Sequence, residues 1–536
     1  MDLELNASQR ESVSGGVHFD AGRWVLASTI LASAMAFIDS SALNVALPAL
    51  QVGLQASGAQ LLWVVNGYLL VLAALILVGG SLGDELGRKR VFMAGIGLFM
   101  LASLACGLAP TADFLIGARL AAGVGGALMI PGSLAIISSY FGAERRGQAI
   151  GTWSSATTMV TIAGPVLGGL LSNAGLWRGV FLINLPLGAV ALTVLYLKVP
   201  ESRDEESSGK IDYLGALLAM LGLAGLTYGF ISAPAFGFGD PRVGGTLAGG
   251  VIALAAFVVV EARREGSGRA MLPLSLFNSR TFSGTNLMTL FLYGALSVGG
   301  FFLSLNLVQA QGYSLAIAGL TFLPSALLLT TLSRWSGKLA DRYGARLPLV
   351  VGPLLVGVAY GVMARVGVTH GPADYWTTYF PGIVLLGLGM GLTVAPLTTA
   401  VMGSVATHHS GTASGVNNAV ARTAGVLAIA MVGAVALFAF ATALQERTAA
   451  LNLPTEARTA LQAEAGRLGG AEVPAQVATE DAGATKLAIK LAFVDAFRVV
   501  MAICAGLAWL SAGMAALLVE RKTLTPNPSP DSGRGR

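Results

Sequence analysis

Charge is what this chain has least of. Asp, Glu, Lys and Arg make up only 11% of its 536 residues, while 54% are apolar and the mean hydropathy is +0.71. A soluble domain carries roughly 25% charged residues. The chain therefore lacks the polar surface to coat a water-soluble body of its size, and reads as a polytopic membrane protein. Its net charge of +5 needs no nucleic acid to explain it, and no nucleic-acid partner is expected. Cysteine is nearly missing too. Cys106 and Cys504 both lie in apolar runs without metal-ligand spacing, as small buried hydrophobes do, and say nothing about redox compartment. The four histidines are His18, His370, His408 and His409; only the last two are adjacent, and nothing nearby completes a metal site. No G-x-x-x-x-G-K-[ST] is present, so no ATP-binding engine is visible. "GGSLG" at 79–83 fits the G-x-S-x-G pattern of hydrolases, but it ends a membrane helix rather than a strand. No enzymatic chemistry, cofactor or metal is expected. Transport driven by an ion gradient remains.

What the chain has instead is apolar runs. A spanning helix needs about 20 mostly apolar residues. Fourteen such runs are expected, at 24–47, 60–81, 91–109, 113–139, 147–171, 179–198, 213–232, 243–261, 282–307, 315–333, 348–366, 376–400, 412–440 and 491–519. The first is not a cleaved signal peptide, because the stretch before it carries Asp2, Glu4, Glu11 and Asp20 rather than a basic region. With the N-terminus in the cytoplasm, the cytoplasmic loops hold Arg88, Lys89 and Arg90; Arg145 and Arg146; Arg203 and Lys210; Arg263, Arg264 and Arg269; and Arg334, Lys338, Arg342 and Arg346. Arg521 and Lys522 follow in the tail, and the short outer loops are nearly bare apart from Arg178 and Arg242. That alternation obeys the positive-inside rule and places both termini in the cytoplasm. One outer loop, 441–490, is long and rich in Ala, Glu and Arg, and is expected to be partly helical. The Pro/Ser/Gly-rich tail is expected to be disordered.

Two loops share the pattern G-x-L-x-D-x-x-G-x-[KR]: "GSLGDELGRKR" from Gly80 and "GKLADRYGAR" from Gly337. They lie eight spans apart. Transporters are often built from parallel six-helix repeats, and eight is six plus two. The expected fold is therefore an all-α polytopic membrane protein of 14 transmembrane helices, two six-helix bundles with an inserted helix pair (6+2+6). A cytoplasmic segment, 1–23, precedes the first bundle, 24–198. A linker, 199–212, leads to the inserted pair, 213–261, which carries almost no intramembrane charge. A second linker, 262–281, precedes the second bundle, 282–519, and the tail is 520–536. In the loops, Gly80 is expected to let a neighbouring helix approach closely. Asp84 is expected to pair with Arg88 across a turn permitted by Gly87. Gly337, Asp341, Arg342, Gly344 and Arg346 repeat the set, and Arg90 adds to the basic residues of the first loop.

At this point the chain resembles a known family, the major facilitator superfamily, and more narrowly its fourteen-span drug:proton antiporters of the EmrB/QacA type. The loop from Gly80 matches the family's cytoplasmic signature except at Glu85, where the signature usually has Arg; the second copy keeps it as Arg342. "FIDSSALNVALPAL", with Asp39, Asn44 and Pro48, resembles the subfamily's first-span motif. "TIAGPVLGGLL", with Gly164, Pro165, Gly168 and Gly169, resembles the core of the fifth-span motif associated with antiporters, although Val160 stands where the extended motif has another Gly. "WRGVFLINLPLG" resembles the sixth-span entry through Trp177, Arg178, Phe181, Asn184, Pro186 and Gly188. The resemblance implies that the fifth-span glycines and proline seal a cavity against leak.

Ionisable residues within spans are functional candidates. Asp39 lies 15 residues beyond Trp24, roughly 22 Å along a helix. Span 4 enters from the opposite side near Asp113, which puts Arg119 roughly 9 Å below its start and so at a depth similar to Asp39. Arg119 matches the family's fourth-span arginine. Two readings follow for Asp39 and Arg119: proton coupling, in which burial and Arg119 oppose each other in setting the carboxylate's titration, or a static pair that pins two helices. Arg422 either snorkels to the cytoplasm or reaches the cavity. Asn417 and Asn418 either donate into the cavity or join helices. Trp63 and Tyr68 either line the cavity or pack. Asp495 and Arg498 are expected to form a local ion pair. Spans 9–13 have no interior acid, which favours neutral, zwitterionic or monovalent lipophilic cargo. The expected function is a proton-driven exporter of drugs or secreted natural products, with small molecules, protons and the bilayer as partners and a periplasmic adaptor left open. The expected location is the bacterial cytoplasmic (inner) membrane. The alternatives are a lipid or metabolite transporter on the same fold, or a non-transporting sensor or scaffold.

Overall fold

The computed structural model describes residues 7–141, 143–202, 212–265, 270, 272–405, 410–449, 451 and 453–520, and every described element is helical. His408, His409, Arg203, Lys210, Arg269 and the tail from Arg521 lie outside the described residues. The first half comprises α1 (Ala7–Leu54), α2 (Gly58–Leu86), α3 (Arg88–Gly107), α4 (Ala112–Tyr140), α5 (Ala143–Asn173), α6 (Gly179–Leu182) and α7 (Asn184–Lys198). Two helices follow, α8 (Tyr213–Phe236) and α9 (Pro241–Arg264). The second half comprises α10 (Arg280–Leu305), α11 (Leu315–Leu320), α12 (Leu323–Tyr343), α13 (Arg346–Met363), α14 (Tyr375–Thr378), α15 (Phe380–Gly403), α16 (Ser410–Ala449), α17 (Thr455–Glu464) and α18 (Thr479–Leu518).

Thirteen stretches of described helix are long and apolar enough to cross a membrane. The chain is a multi-pass membrane protein. The run at 147–171 lies in α5, whose apolar part among the described residues, Met159–Asn173, is shorter than a spanning helix. Several expected runs are broken. Span 6 divides at Ile183 into α6 and α7, three residues before Pro186. Span 10 divides into α11 and α12 just before Pro324, where a ring without an N–H starts a helix more readily than it continues one. Span 9 ends in a π-helical turn, Asn306–Ala310.

Within the first half, α2 and α3 pack on α4, and α1 packs on α5 and α7; within the second, α10 packs on α16 and α18, α13 on α15 and α18, and α12 on α15. The halves meet along two seams, α2 on α16 and α5 on α11. The α8–α9 pair joins at the side, where α8 touches both α2 and α16. The glycines of α8 are what bind α9 to it: a Cβ on Gly222 would lie 2.6 Å from Leu254, and one on Gly225 would lie 2.8 Å from the Thr246 carbonyl. Small residues of this kind let helix backbones approach when lipid supplies no hydrophobic drive.

The two ends of the bundle differ. One, the basic face, carries the loops around Arg88 and Arg346 and the end of α9. The other, the capped face, carries the segment between α16 and α18. That segment is shorter than the loop expected at 441–490, because α16 runs on to Ala449 and α18 begins at Thr479. It contains α17 and a 3₁₀ stretch, Ala465–Gly470. Leu468 is 1% exposed and reaches the main core at a positive φ of 55°. The cap is tied to both halves. Gln51 of α1 donates to the Arg467 carbonyl at 3.0 Å and accepts from Gln309, beyond α10, at 2.7 Å. Arg467 also donates to Gln55 at 2.5 Å.

Candidate functional site

Asp39 and Arg119 meet. One guanidinium nitrogen, Nη1, donates to Asp39 Oδ2 at 2.5 Å, and both side chains are 1% exposed. Arg119 Nε donates to the Val64 carbonyl of α2 at 3.1 Å, and its guanidinium stacks over the Tyr68 ring at 4.5 Å. The pair thus joins α1, α2 and α4. Asp39 Oδ1 is buried and has no partner among the described residues. A buried ion pair sits close to an energetic balance point, because desolvation of both charges opposes their attraction.

Two residues further along α1, the side chains enter a central cavity of about 370 Å³. Its walls come from both halves: Ser41 and Asn44 of α1, Thr161 and Pro165 of α5, Ser304 of α10 and Phe322 before α12. No charged side chain lines it. Of the expected cavity residues, Asn44 is in the wall, whereas Trp63, Tyr68, Asn417, Asn418 and Arg422 are not. Trp63 packs against the main core and Tyr68 is buried under Arg119.

The glycines of α5 pack closely on the helices beside this cavity. A Cβ on Gly164 would strike the Ser41 hydroxyl, and one on Gly168 would lie 2.8 Å from Ala42 Cα, so α5 rides directly on α1. Gly169 faces the other half instead, where a Cβ would lie 3.0 Å from Ala316 Cα of α11. From α11, a Cβ on Gly319 would lie 2.9 Å from the Pro165 carbonyl carbon. Backbone meets backbone across the seam.

In the repeated loops the structure bears on the glycines. The side chains of Asp84, Asp341 and Arg342 lie outside the described residues. A Cβ on Gly80 would meet Pro131 at an ordinary 3.7 Å, and one on Gly337 would meet Ala395 at 3.8 Å, so neither marks a close approach. The close approach is one residue earlier, at Gly79, where a Cβ would lie 2.7 Å from the Ala127 carbonyl carbon. Gly87 and Gly344 do make the turns, at φ of 108° and 87°. Glu201, unremarked in sequence, caps α3: its carboxylate accepts from the backbone N–H of Lys89 at 2.9 Å and of Arg90 at 3.2 Å. A carboxylate at a helix N-terminus is favoured by the unpaired N–H groups and the helix dipole. Arg88 is partly buried, and its N–H donates to the Ser202 carbonyl at 2.9 Å. Arg346 donates to the Ala516 carbonyl of α18.

The remaining candidates separate. Asn417 joins α16 to α10, donating to Asn286 at 3.1 Å and to Thr289 at 2.8 Å. Asn417→Ala should therefore cost little, since such interhelical bonds average about 0.6 kcal/mol in membranes. Efflux should stay within about threefold of the parent in a dye-accumulation assay. Arg422 is half-buried on α16, close enough to Tyr68 and Tyr293 for its charge to act on both. Asp495 contacts Arg498 at 3.7 Å, but its stronger partner is Arg447 of α16, at 2.5 Å. Sequence reasoning also passed over a second buried acid, Glu261, which is fully buried and accepts from the Leu272 N–H at 2.7 Å. Asp212 and Arg264 form an ion pair at the same end of the inserted pair. In the linker beyond, Ser275 holds the Glu265 carboxyl below its usual range by hydrogen bonds from its hydroxyl and N–H.

The profile of the Major Facilitator Superfamily matches residues 29–429. The chain belongs to this superfamily. It is 30% identical over 514 residues to the tetracenomycin C resistance and export protein of Streptomyces glaucescens, covering 94% of this chain and 93% of that one. It is 36% identical over 424 residues to the cephamycin export protein CmcT of Amycolatopsis lactamdurans, covering 76% and 83%. It is 31% identical over 435 residues to the methylenomycin A resistance protein of Streptomyces coelicolor, covering 81% and 88%. Among solved structures, a bacterial homologue of the human lysosomal transporter Spinster shares its fold, with a TM-score of 0.63 at 18% identity over 92% of this facilitator and 97% of that chain. The three relatives are named as antibiotic export or resistance proteins, and this facilitator is a transporter rather than an enzyme.

Proposed function

We propose that this facilitator is a proton-driven exporter of lipophilic drugs or secreted natural products, working by alternating access. The observation that most supports the reading is the Asp39–Arg119 pair: a buried carboxylate with one oxygen on Arg119 and the other unpartnered, two residues from the cavity wall. Protonation of Asp39 would release Arg119 and loosen α1 from α4. Deprotonation would restore the contact. Substrate would occupy the cavity behind Ser41 and Asn44, whose uncharged walls suit neutral, zwitterionic or monovalent compounds. The cap and the α5–α11 seam would form the outer gate, and the loops around Gly87 and Gly344 the cytoplasmic latches. This assigns the basic face and both termini to the cytoplasm of a bacterial inner membrane, and the helices to a 6+2+6 plan with α8 and α9 inserted. A periplasmic adaptor would meet the capped face.

The test is expression in a host stripped of its own pumps. Lowered accumulation of a lipophilic dye, abolished by a protonophore, is the expected result. Dye efflux that survives collapse of the proton gradient would sink proton coupling, and no efflux across a broad panel would favour a scaffold.

A further inference from the structure

A second cavity, of about 460 Å³, lies away from the central one. Its walls are the inserted pair (Leu223, Phe257), α2 (Ala73), α10 (Leu290) and α16 (Val420), with Phe277 of the linker beneath them. We propose that it binds an anionic phospholipid of the basic-face leaflet, with an acyl chain in the cavity and the phosphate on Arg263 and Arg280.

Depth is the first argument. On α10 the lining runs from Ser283 to Leu290, roughly 5 to 15 Å in from Arg280 at 1.5 Å per residue. On α9, Phe257 and Leu254 lie roughly 9 and 14 Å in from Arg263. Both helices place the cavity within one half of a hydrocarbon core about 30 Å thick. The second argument is the lining chemistry. Of its three polar side chains, two are already committed: Ser283 donates to the Phe277 carbonyl at 2.6 Å, and Asn286 donates to the Phe282 carbonyl and accepts from Asn417. They offer little to a polar solute and do not hinder a hydrocarbon chain. The floor is built in the same way. Glu261 turns the linker back by its bond to the Leu272 N–H, and Phe277 packs edge-on to Phe282 at 5.2 Å between centroids. The third argument is charge. Arg263 and Arg280 are exposed at the basic ends of the two lining helices and have no hydrogen bond or ion pair among the described residues. Neighbouring Arg264, by contrast, is engaged by Asp212. Basic side chains at that level attract anionic headgroups. Because the walls belong to both halves, the site would change shape as the halves move, and the lipid would favour one state over the other.

Native mass spectrometry of the full chain in mild detergent, titrated with palmitoyl-oleoyl phosphatidylglycerol or phosphatidylcholine, tests this. Phosphatidylglycerol should be retained about tenfold or more over phosphatidylcholine, and Arg263→Gln/Arg280→Gln should erase that preference. Leu223→Trp, which fills the cavity, should lower retention with the arginines intact. Should that variant fail to fold, Phe257→Trp with brominated-chain phosphatidylglycerol replaces it, and quenching of the indole is expected. Equal retention of both lipids, retention unchanged in both variants, or an unquenched indole would overturn the proposal. Displacement of the lipid by an efflux dye would overturn it in favour of a substrate site.

Discussion

Asp39→Asn should abolish substrate-driven proton release and also lower thermal stability, and a second substitution should separate the two effects. The single change leaves Arg119 charged, 1% exposed and without its carboxylate. Removing one partner of a buried pair costs about 3–5 kcal/mol. A loss of transport in the single variant would therefore prove little. Asp39→Asn/Arg119→Gln removes both charges together, and replacing a buried pair by neutral groups is often close to neutral in stability. The double variant should regain much of the parent's unfolding temperature in detergent, yet remain unable to release protons when substrate is added to proteoliposomes. If Asp39 only pins α1 to α4, the double variant will transport with coupling intact, and the proposal fails. What makes the first outcome the expected one is position: Asp39 is an ionisable residue deep within a span, two residues from the wall of a cavity built by both halves.

That pair was legible in sequence because it depends on depth alone. A helix rises 1.5 Å per residue wherever it is placed, so counting in from Trp24 and Asp113 brought Asp39 and Arg119 to one level before any packing was known. The small-residue stretch around Gly164 was legible for a similar reason, since glycines in a spanning helix mark close approach. What counting could not show was direction. Gly80 and Gly79 are adjacent, and only the rotation of α2 against α4 decides that Gly79 touches the Ala127 backbone. Asn417 carries the same polar amide as a cavity residue would, and only the neighbouring Asn286 and Thr289 make it a helix–helix contact. Glu201 and Glu261 stood at the edges of spans, where a charge looks solvated, and each turned out to bind backbone N–H groups. The glycines of α8 form the surface that holds α9, and their spacing alone did not name that partner.

Gly169→Val should open the capped face. Gly169 is the one glycine of its motif that faces the opposite half, and an added side chain would meet the backbone of Leu315 and Ala316, which cannot rotate aside. Overpacking of this kind costs about 1–3 kcal/mol. Here the whole cost falls on the state in which α5 and α11 touch, because the contact vanishes when the seam opens. A differential cost of that size shifts a two-state equilibrium about 5–150-fold. The shift can be read with Ser304→Cys, a cavity-wall reporter that is fully buried in the parent structure, after Cys106 and Cys504 are changed to Ser. A membrane-impermeant maleimide added from the capped side should label the reporter about 5–150-fold faster when Gly169→Val is present. Net efflux should fall, since a pump biased toward one face completes fewer cycles. Gly117→Val is the control, because a Cβ there meets open space and should change neither rate. Unchanged labelling in Gly169→Val would mean that the seam yields locally without moving the halves. The antiporter stretch would then be packing rather than a gate.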